Sequence, residues 1–322
     1  MPDHLLPLIN EALAALHYPQ APEGLYEPIA YGLEGGGKRL RPTLLLLAYN
    51  IFGQDPTEAL PAALALEIYH NHTLLHDDFM DQAPMRRGRP TVYRKWDANT
   101  AILSGDTMLI MAVEQMNRLE CPQRHEVMTL FVRTMKEVCE GQQYDMNFER
   151  MNDVSMAQYL EMIRLKTAVL PACAAKTGAL IGGADEEAAQ ALYDFAIHLG
   201  LAFQIQDDYL DVYGDPKVFG KNIGGDIVCG KKTYLLISAL NKAEGQDKER
   251  LKGWMEDKTL TPDEKIKAVT ELYNRLHIAE EAKAAIDQHF ALAAQCLDRV
   301  GAEPERLQPL RDYAKSLLGR NV

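Results

Sequence analysis

Two acidic stretches decide the fold class of this chain: LLHDDFMD at residues 74–81 and FQIQDDYLD at residues 203–211. Each places a D-D-x-x-D pattern within apolar neighbours and contains neither glycine nor proline. On a helix, positions i, i+1 and i+4 point in neighbouring directions, so each stretch presents three clustered carboxylates. Like charges at this spacing destabilise a helix by roughly a few tenths of a kcal/mol per pair. Because the flanks are apolar, we expect both clusters to point inward toward a cation rather than to form solvated acidic faces.

The rest of the chain also has the pattern of helices. Segments rich in Ala, Leu, Met, Glu and Gln alternate with short Gly/Pro punctuation. The pattern predicts an all-α fold without strands. Asp185 is predicted to cap the helix that follows it. Helices are predicted at about 62–82, 99–118, 124–149, 156–178, 186–213, 231–243, 262–277, 279–297 and 304–318.

Composition excludes several classes of function. The 322 residues carry a formal net charge of −12, which argues against nucleic-acid binding or attachment to an acidic membrane, because both need a basic surface. The five cysteines show no C-x-x-C spacing, so neither a disulfide framework nor a structural zinc site is indicated. No apolar run is long enough to span a bilayer, and no targeting segment is recognised. We therefore expect a soluble, cytoplasmic protein with no stable membrane anchor.

The chemistry of the acidic clusters points to magnesium. Oxygen ligands without His or Cys suit a hard cation. Mg²⁺ typically takes one or two carboxylates and completes its shell with water and phosphate. The two stretches therefore predict several Mg²⁺ ions bound around a polyphosphate.

Basic residues suited to phosphate flank the first acidic stretch. The loop RRGRP at residues 86–90 follows it, and GGGKRLRP at residues 35–42 precedes it. Guanidinium groups bind phosphate oxygens bidentately, so paired arginines beside a metal cluster are typical of an anion site. The glycine-rich stretch is not a P-loop, because Arg39 stands where Ser or Thr would bind Mg²⁺ and no apolar strand precedes it.

Together these stretches resemble the trans-prenyl (polyprenyl) diphosphate synthase family, in its short-chain type. GGGKRLRP, LLHDDFMD with RRGRPT, RLKTA, FQIQDDYLDVYGD and GKNIGGDI occur in the family's order, and the match extends to about residue 233. The resemblance implies an isoprenoid synthase fold and a homodimer. The expected fold is a single domain over residues 1–322, built as one large helical bundle around a deep central cavity with both acidic stretches facing each other at its mouth. It also implies the condensation of isopentenyl diphosphate with an allylic diphosphate, by ionisation of the allylic C–O bond, attack by the isopentenyl double bond and loss of a proton.

The resemblance further implies roles for individual residues. The expected principal Mg²⁺ ligands are Asp77, Asp81 and Asp207, supported by Asp78, Asp208 and Asp211. The expected site for isopentenyl diphosphate comprises Lys38, Arg41, His70 and Arg87. The expected contacts of the allylic diphosphate are Arg86, Lys166, Lys221 and Lys231. Thr167 and Gln204 are expected to face the carbocation, Gln142 and Asp145 to support the site, and residues 212–230 to form a flap over the phosphates.

Three other classes of protein remain as alternatives. A terpene cyclase shares one aspartate-rich motif, but its second metal motif carries Asn, Ser or Thr with Glu, whereas this sequence repeats the aspartate pattern. A non-catalytic subunit of a heteromeric synthase predicts that one acidic or basic set is eroded, and none is. A purely structural helical bundle gives no reason for two aspartate triads among apolar residues.

Product length depends, in this family, on the residues four and five positions before the first aspartate, which close the end of the cavity. Here they are Thr73 and His72, with Tyr69 one turn deeper as a second barrier. Long-chain enzymes tend to have a small residue at the position of His72 and short-chain enzymes an aromatic one. Because imidazole is of intermediate size and the first motif lacks a two-residue insertion, we expect a short product, geranylgeranyl rather than farnesyl diphosphate.

We predict that His72→Ala lengthens the product, because removing the ring opens the end of the cavity to further condensation. Mass analysis of the products of elongation assays measures this. An unchanged product distribution would remove His72 from the barrier.

Overall fold

The computed structural model describes residues 4–215, 223–257 and 259–319. The chain divides into two compact units. The first unit comprises Met1–Val132, Cys173–Leu192 and Gly301–Leu310, and the second comprises Arg133–Ala172, Tyr193–Val300 and Arg311–Val322. Among the described residues, none of the helices combines the length and the apolar character that a membrane span requires.

The described residues are overwhelmingly helical, which confirms the all-α prediction. The elements are α1 Leu5–Ala14, α2 Tyr26–Glu34, α3 Leu40–Phe52, a 3₁₀ turn Pro56–Ala59, α4 Leu60–Met80, β1 Met85–Arg86, β2 Arg89–Pro90, α5 Val92–Lys95, α6 Ala98–Asn117, α7 Arg124–Phe148, α8 Met156–Ile163, a π-helical segment Arg164–Ala168, α9 Val169–Gly182, α10 Glu186–Tyr213, α11 Gly225–Cys229, α12 Tyr234–Lys242, α13 Gly245–Glu256, α14 Pro262–Arg275, α15 Ile278–Asp298 and α16 Pro304–Leu318. The predicted cap is confirmed, since the amide of Ala188 donates to Asp185 Oδ1 at 2.8 Å.

The core of the first unit is built around α3 and α4. The apolar run at residues 44–48 of α3 is buried on every side, so this helix lies inside the unit rather than at its surface. Gly178 lies directly against the backbone carbonyl of Leu45, where no side chain would fit. Helix α4 packs along α6 and is buried over most of its first three turns. The acidic motif at the end of α4 is therefore carried by a helix whose position is set by apolar packing.

The second unit has a separate core formed by α8, α10, α12, α14 and α15, with Tyr159, Ile205, Leu235 and Tyr273 among its buried side chains. One helical segment of this unit is irregular, and it carries the predicted site residues Lys166 and Thr167. The predicted continuous helix at 156–178 is wrong in one detail, because the segment Arg164–Ala168 is π-helical.

The π-helical segment lies between two close approaches of backbone. A Cβ at Gly141 of α7 would lie 2.7 Å from the Cα of Lys166, and a Cβ at Gly200 of α10 would lie 2.7 Å from the Cα of Ala168. Both distances are too short for any residue other than glycine. The two glycines thus allow α7 and α10 to hold the segment that carries Lys166.

The segment predicted as a loop after the first acidic motif is a short antiparallel hairpin, which also corrects the expectation of no strands. Arg86 pairs with Arg89, and Met85 pairs with Pro90. The two turn residues, Arg87 and Gly88, have φ values of 52° and 75°, as a two-residue hairpin of the I′ type requires. The turn places Arg86 and Arg89 directly opposite each other, although like charges at this spacing repel.

We predict that Gly141→Ala destabilises the protein by roughly 1–3 kcal/mol, because the added methyl would overlap backbone that cannot move without repacking. Gly253→Ala is the matched control, since Gly253 lies in helix α13 of the same unit with nothing within 4 Å of its Cβ position. The control is expected to be stabilising by up to about 1 kcal/mol. Urea unfolding measures both, and equal effects of the two substitutions would contradict the close approach.

Candidate active site

The first acidic motif occupies the last turn of α4 and the residue after it. Asp77 is half-buried and Asp81 is exposed, whereas Asp78 is buried. Asp78 Oδ1 accepts from Arg86 Nε at 2.7 Å and lies 2.7 Å from Arg86 Nη2. Burial raises the pKa of Asp78 in spite of the opposing effect of Arg86. Asp78 therefore anchors the hairpin to α4, and the other two carboxylates of the motif face more open surroundings.

Two helical turns before Asp77, His70 lies among arginines. Burial lowers its pKa well below the usual value, and the positive charges of Arg41, Arg87 and Arg86 lower it further. The imidazole is therefore neutral at neutral pH. Three of the four residues predicted for isopentenyl diphosphate, namely Arg41, His70 and Arg87, thus lie close together, in a region of strong positive potential that suits an anion.

The glycine-rich loop supports Arg87 directly. Gly36 and Gly37 have φ values of 72° and 135°, which L-residues with side chains rarely adopt. The guanidinium of Arg87 lies against Gly37, where a Cβ would be 2.9 Å from three of its atoms, and Arg87 Nη1 donates to the carbonyl of Gly36. Lys38, the fourth predicted residue, is exposed on this loop. A helix, α2, precedes the loop, which confirms that it is not a P-loop.

A pocket of about 400 Å³, partly open to solvent, adjoins the hairpin. Its apolar lining includes Leu74, Leu75 and Val92, and its basic lining consists of Arg86, Arg87 and Arg89. Arg89 is held by stacking, with its Cζ 3.8 Å from the centroid of the Tyr31 ring. The pocket combines an apolar surface with three guanidinium groups, which suits a small anion that also carries an apolar group.

In the second unit, a pocket of about 300 Å³ brings together Lys166, Thr167, Gln204, Asp208 and Lys231. Lys166 Nζ donates to Asp145 Oδ2 at 2.6 Å, so the supporting acid predicted at this position does contact the lysine. Lys231 Nζ lies 4.0 Å from Asp226 Oδ1. Four of the predicted catalytic and allylic-site residues therefore line one pocket, whereas Lys221 lies outside the described residues.

A chain of hydrogen bonds fixes the polar groups of this pocket. Thr167 Oγ1 donates to Gln204 Oε1 at 3.0 Å, and Gln204 Nε2 donates to Asp208 Oδ1 at 3.1 Å. Asp208 Oδ2 accepts from the Tyr159 hydroxyl at 2.6 Å and from the backbone amide of Tyr234 at 2.9 Å. Burial raises the pKa of Asp208 to about 6, although the hydrogen bonds from Tyr159 and Tyr234 oppose the rise. Asp208 thus holds Gln204 in one orientation.

The remaining aspartates of the second motif differ in burial. Asp207 is half-buried, and Asp211 is buried with Oδ2 accepting from the backbone amide of Asp226 at 3.0 Å. The carbonyl of Asp211 also accepts from the amide of Gly224 at 2.6 Å. Asp211 therefore secures the segment that leads into α11. The first motif lies in the first unit and the second motif in the second, so their facing each other across a cavity stays a prediction.

The donor set fits magnesium. Within residues 4–215, 223–257 and 259–319, no three His, Cys, Asp or Glu side chains are gathered as a ready-made metal site. Mg²⁺ is commonly held by one or two carboxylates plus substrate phosphates. Asp77, Asp81 and Asp207 are the least buried of the six aspartates, and their carboxylates are hard oxygen ligands.

His72 is buried between α4 and α6. Its Nδ1 donates to the carbonyl of Gly105 at 2.9 Å, and its ring centroid lies 4.5 Å from that of His76 and 5.5 Å from that of Tyr69. Burial lowers the pKa of His72 to about 4, and His76 contributes in the same direction. Thr73 Oγ1 donates to the carbonyl of His70 at 2.8 Å. Whether His72, Thr73 and Tyr69 close the cavity stays a prediction.

Two structurally important residues escaped the sequence analysis. Tyr159 has no local signal, because its partner Asp208 is distant in sequence. Glu67 does have a local sequence signal, because it is the only charged residue in the apolar stretch ALALEIYHN at residues 63–71. A lone acid in such a stretch indicates a buried partner, here Arg39 at 2.6 Å.

Comparison with known proteins agrees with this geometry. Residues 22–273 match the Polyprenyl synthetase family. The chain is 39% identical over 311 residues to a geranylgeranyl pyrophosphate synthase of Geoglobus acetivorans, covering 95% of each chain. It is 45% identical over 223 residues to a geranylgeranyl diphosphate synthase of Methanosarcina mazei, covering 69% of each. The solved geranylgeranyl pyrophosphate synthetase of Pyrococcus horikoshii superposes with a TM-score of 0.91 at 34% identity, over 97% of this chain and 95% of that one.

An all-α fold that carries two aspartate-rich helical segments and clusters of basic side chains defines an isoprenoid synthase. Within that class, the chain belongs to the polyprenyl synthetase family.

We predict a loss of stability in mild acid that depends on His72. Its pKa is about 4 in the folded state and about 6.5 when unfolded, so the unfolded state binds the proton first. The free energy of unfolding should therefore fall as the pH drops from about 6.5 to about 4, by up to about 3 kcal/mol from this residue. Urea unfolding across this range, compared with the non-titrating His72→Gln, measures the contribution. Parallel curves for the two proteins would contradict it.

Proposed function

We propose that this protein is a prenyltransferase that condenses isopentenyl diphosphate with an allylic diphosphate to give a short all-trans prenyl diphosphate, geranylgeranyl diphosphate. One observation carries the proposal. Helix α4 bears an acidic motif at its end and, two turns earlier, a neutral His70 surrounded by arginines. One unit therefore offers both a carboxylate site for metal-bound diphosphate and a basic site for a diphosphate that binds without metal.

This pair of sites distinguishes the proposal from the alternatives. A terpene cyclase takes one diphosphate substrate and has no need of a second, metal-free anion site. A non-catalytic subunit would not need to keep both the acidic and the basic sets. The relatives from Geoglobus acetivorans and Methanosarcina mazei are named as geranylgeranyl diphosphate synthases, which supports the proposed product.

In the proposed reaction, Asp77, Asp81 and Asp207 would hold Mg²⁺, which would supply positive charge that offsets the charge of the leaving diphosphate. Arg86, Lys166 and Lys231, with Lys221, bind the diphosphate oxygens. Arg86 and Lys166 are each oriented by a carboxylate, Asp78 and Asp145 respectively. The ion pairs hold the cationic groups in place before substrate arrives, so little reorganisation is needed.

Thr167 and Gln204 are proposed to stabilise the allylic carbocation. The Gln204 amide is fixed by its donation to Asp208, which leaves the carbonyl oxygen on the side of Thr167. A hydroxyl and an amide oxygen each keep a lone pair after making this hydrogen bond. Such dipoles stabilise positive charge without acting as bases that would remove a proton too early.

Assembly and location are part of the proposal. Exposed apolar side chains on α6, namely Ile102, Leu103 and Ile110, support a homodimer formed through this helix. The five cysteines are free thiols, which supports the reducing cytoplasm as its location. We also propose that both compact units act as one synthase domain.

The test is to incubate the purified protein with isopentenyl diphosphate and dimethylallyl, geranyl or farnesyl diphosphate, with and without Mg²⁺. We expect elongation only with Mg²⁺, with geranylgeranyl diphosphate as the main product identified by mass. Release of diphosphate without consumption of isopentenyl diphosphate would indicate a cyclase instead.

We predict that Asp77→Asn lowers the rate of elongation at least about a hundredfold, because a neutral amide binds Mg²⁺ more weakly than a carboxylate and the leaving-group charge is then less well offset. Asp153→Asn is the matched control, since the Asp153 side chain is 89% exposed and forms a surface salt bridge of 3.6 Å with Lys252. The control should retain the rate. Equal rates for wild type and Asp77→Asn would exclude Asp77 from metal binding.

A further inference from the structure

A buried ion pair lies near the cluster that Arg41, His70, Arg86 and Arg87 form in the first unit. Arg39 Nη1 donates to Glu67 Oε1 at 2.6 Å, and the two side chains are only 6% and 3% exposed. Because a charge buried without its partner is strongly destabilising, the geometry of this pair must be maintained closely.

Arg39 joins three elements. Besides Glu67 on α4, its guanidinium donates to the carbonyl of Leu33 on α2 at 2.9 Å and to Asn10 Oδ1 on α1 at 3.2 Å. The backbone of Arg39 is left-handed, with φ at 47°. A non-glycine residue in this conformation is costly unless its surroundings hold it there. The side-chain contacts of Arg39 supply that restraint.

The position of Arg39 in the sequence links the ion pair to the predicted isopentenyl diphosphate site. Lys38 immediately precedes it, Arg41 follows two residues later, and the glycines that support Arg87 lie just before. Fixing Arg39 to α4 thereby fixes the whole glycine-rich loop relative to His70, which is on the same helix as Glu67.

Glu67 also acts on the neighbouring arginines. Its negative charge favours the charged form of Arg87, whose pKa is otherwise lowered by burial and by Arg39 and Arg86. Asn71 Nδ2 donates to the Glu67 carbonyl at 2.8 Å and to Oε1 at 3.3 Å, which fixes the carboxylate. The pair Arg39–Glu67 is neutral as a unit, so it holds the surrounding cations together without reducing their net positive charge.

We infer that Arg39 and Glu67 are positioning residues for the isopentenyl diphosphate site: the buried pair sets the loop that carries Lys38, leads into Arg41 at the start of α3 and supports Arg87. The inference rests on the proposed function of that site. Neither residue touches substrate, and both act through the cations that do.

The experiment replaces both charges at once. Arg39→Met with Glu67→Met removes the pair while keeping similar volume, and such replacements of buried pairs are often tolerated by the fold. Circular dichroism and thermal unfolding check that the double variant is folded. The matched control removes another 2.6 Å ion pair of the same unit, as Lys176→Met with Glu186→Gln.

We expect the KM for isopentenyl diphosphate to rise roughly 10- to 100-fold in the double variant, because misplacement of binding groups by about 1 Å has effects of this size. The KM for the allylic diphosphate should stay within about twofold, and the control pair should change neither constant. Arg39→Lys retains the charge without the planar fork and should give an intermediate rise.

Two outcomes would overturn the inference. An unchanged KM for isopentenyl diphosphate in the folded double variant would make the pair purely structural. Equal rises in the KM of both substrates would indicate general loosening. If the wild-type protein elongates no substrate, the proposed function fails, and calorimetric binding of isopentenyl diphosphate without metal then decides the inference: affinity equal in wild type and double variant overturns it.

Discussion

A carboxylate buried inside an apolar helix must be compensated, and the positions of the basic site residues follow from this requirement. Helix α4 would pack through its apolar residues alone, yet it carries Glu67 and Asp78 in buried positions. A buried carboxylate is tolerated only when paired, and here each has an arginine, Arg39 and Arg86 respectively. These two arginines bring the glycine-rich loop and the hairpin against α4. The compensating pairs thus determine where the remaining basic residues lie.

In the second unit, neutral hydrogen-bond donors compensate a buried carboxylate. Asp208 is buried, and among the described residues its carboxylate accepts from a tyrosine hydroxyl, an amide side chain and a backbone amide. Donors of this kind stabilise the carboxylate only in part, which agrees with its pKa of about 6. Their directionality has a structural consequence, because it orients Gln204 and, through it, Thr167.

Much of this arrangement could be predicted from local sequence, and the limits have physical causes. The long helices, such as α10 with its Asp185 cap, follow from propensity and capping, which are local effects. Helix α3 gave no periodic signal because it is buried on every side. The π-helical segment depends on the approach of Gly141 and Gly200, which lie outside it in sequence. Of the residues named from the motifs, Arg86 and Arg87 line the pocket of the first unit, and Lys166, Thr167, Gln204 and Lys231 line that of the second. The pairing of Arg39 with Glu67 could not be predicted, because the two residues meet only in the tertiary structure.

The net charge of −12 poses a final problem, since such a protein repels anionic substrates at long range. Screening limits that repulsion to about 8–10 Å at physiological ionic strength. Within this distance the local arrangement dominates, and around His70 four arginines outnumber the nearby buried carboxylates Glu67 and Asp78. Because the two carboxylates are paired with Arg39 and Arg86, the charges of Arg41 and Arg87 remain in excess near His70. The affinity for diphosphate proposed here therefore depends on the geometry of a few side chains and not on bulk charge.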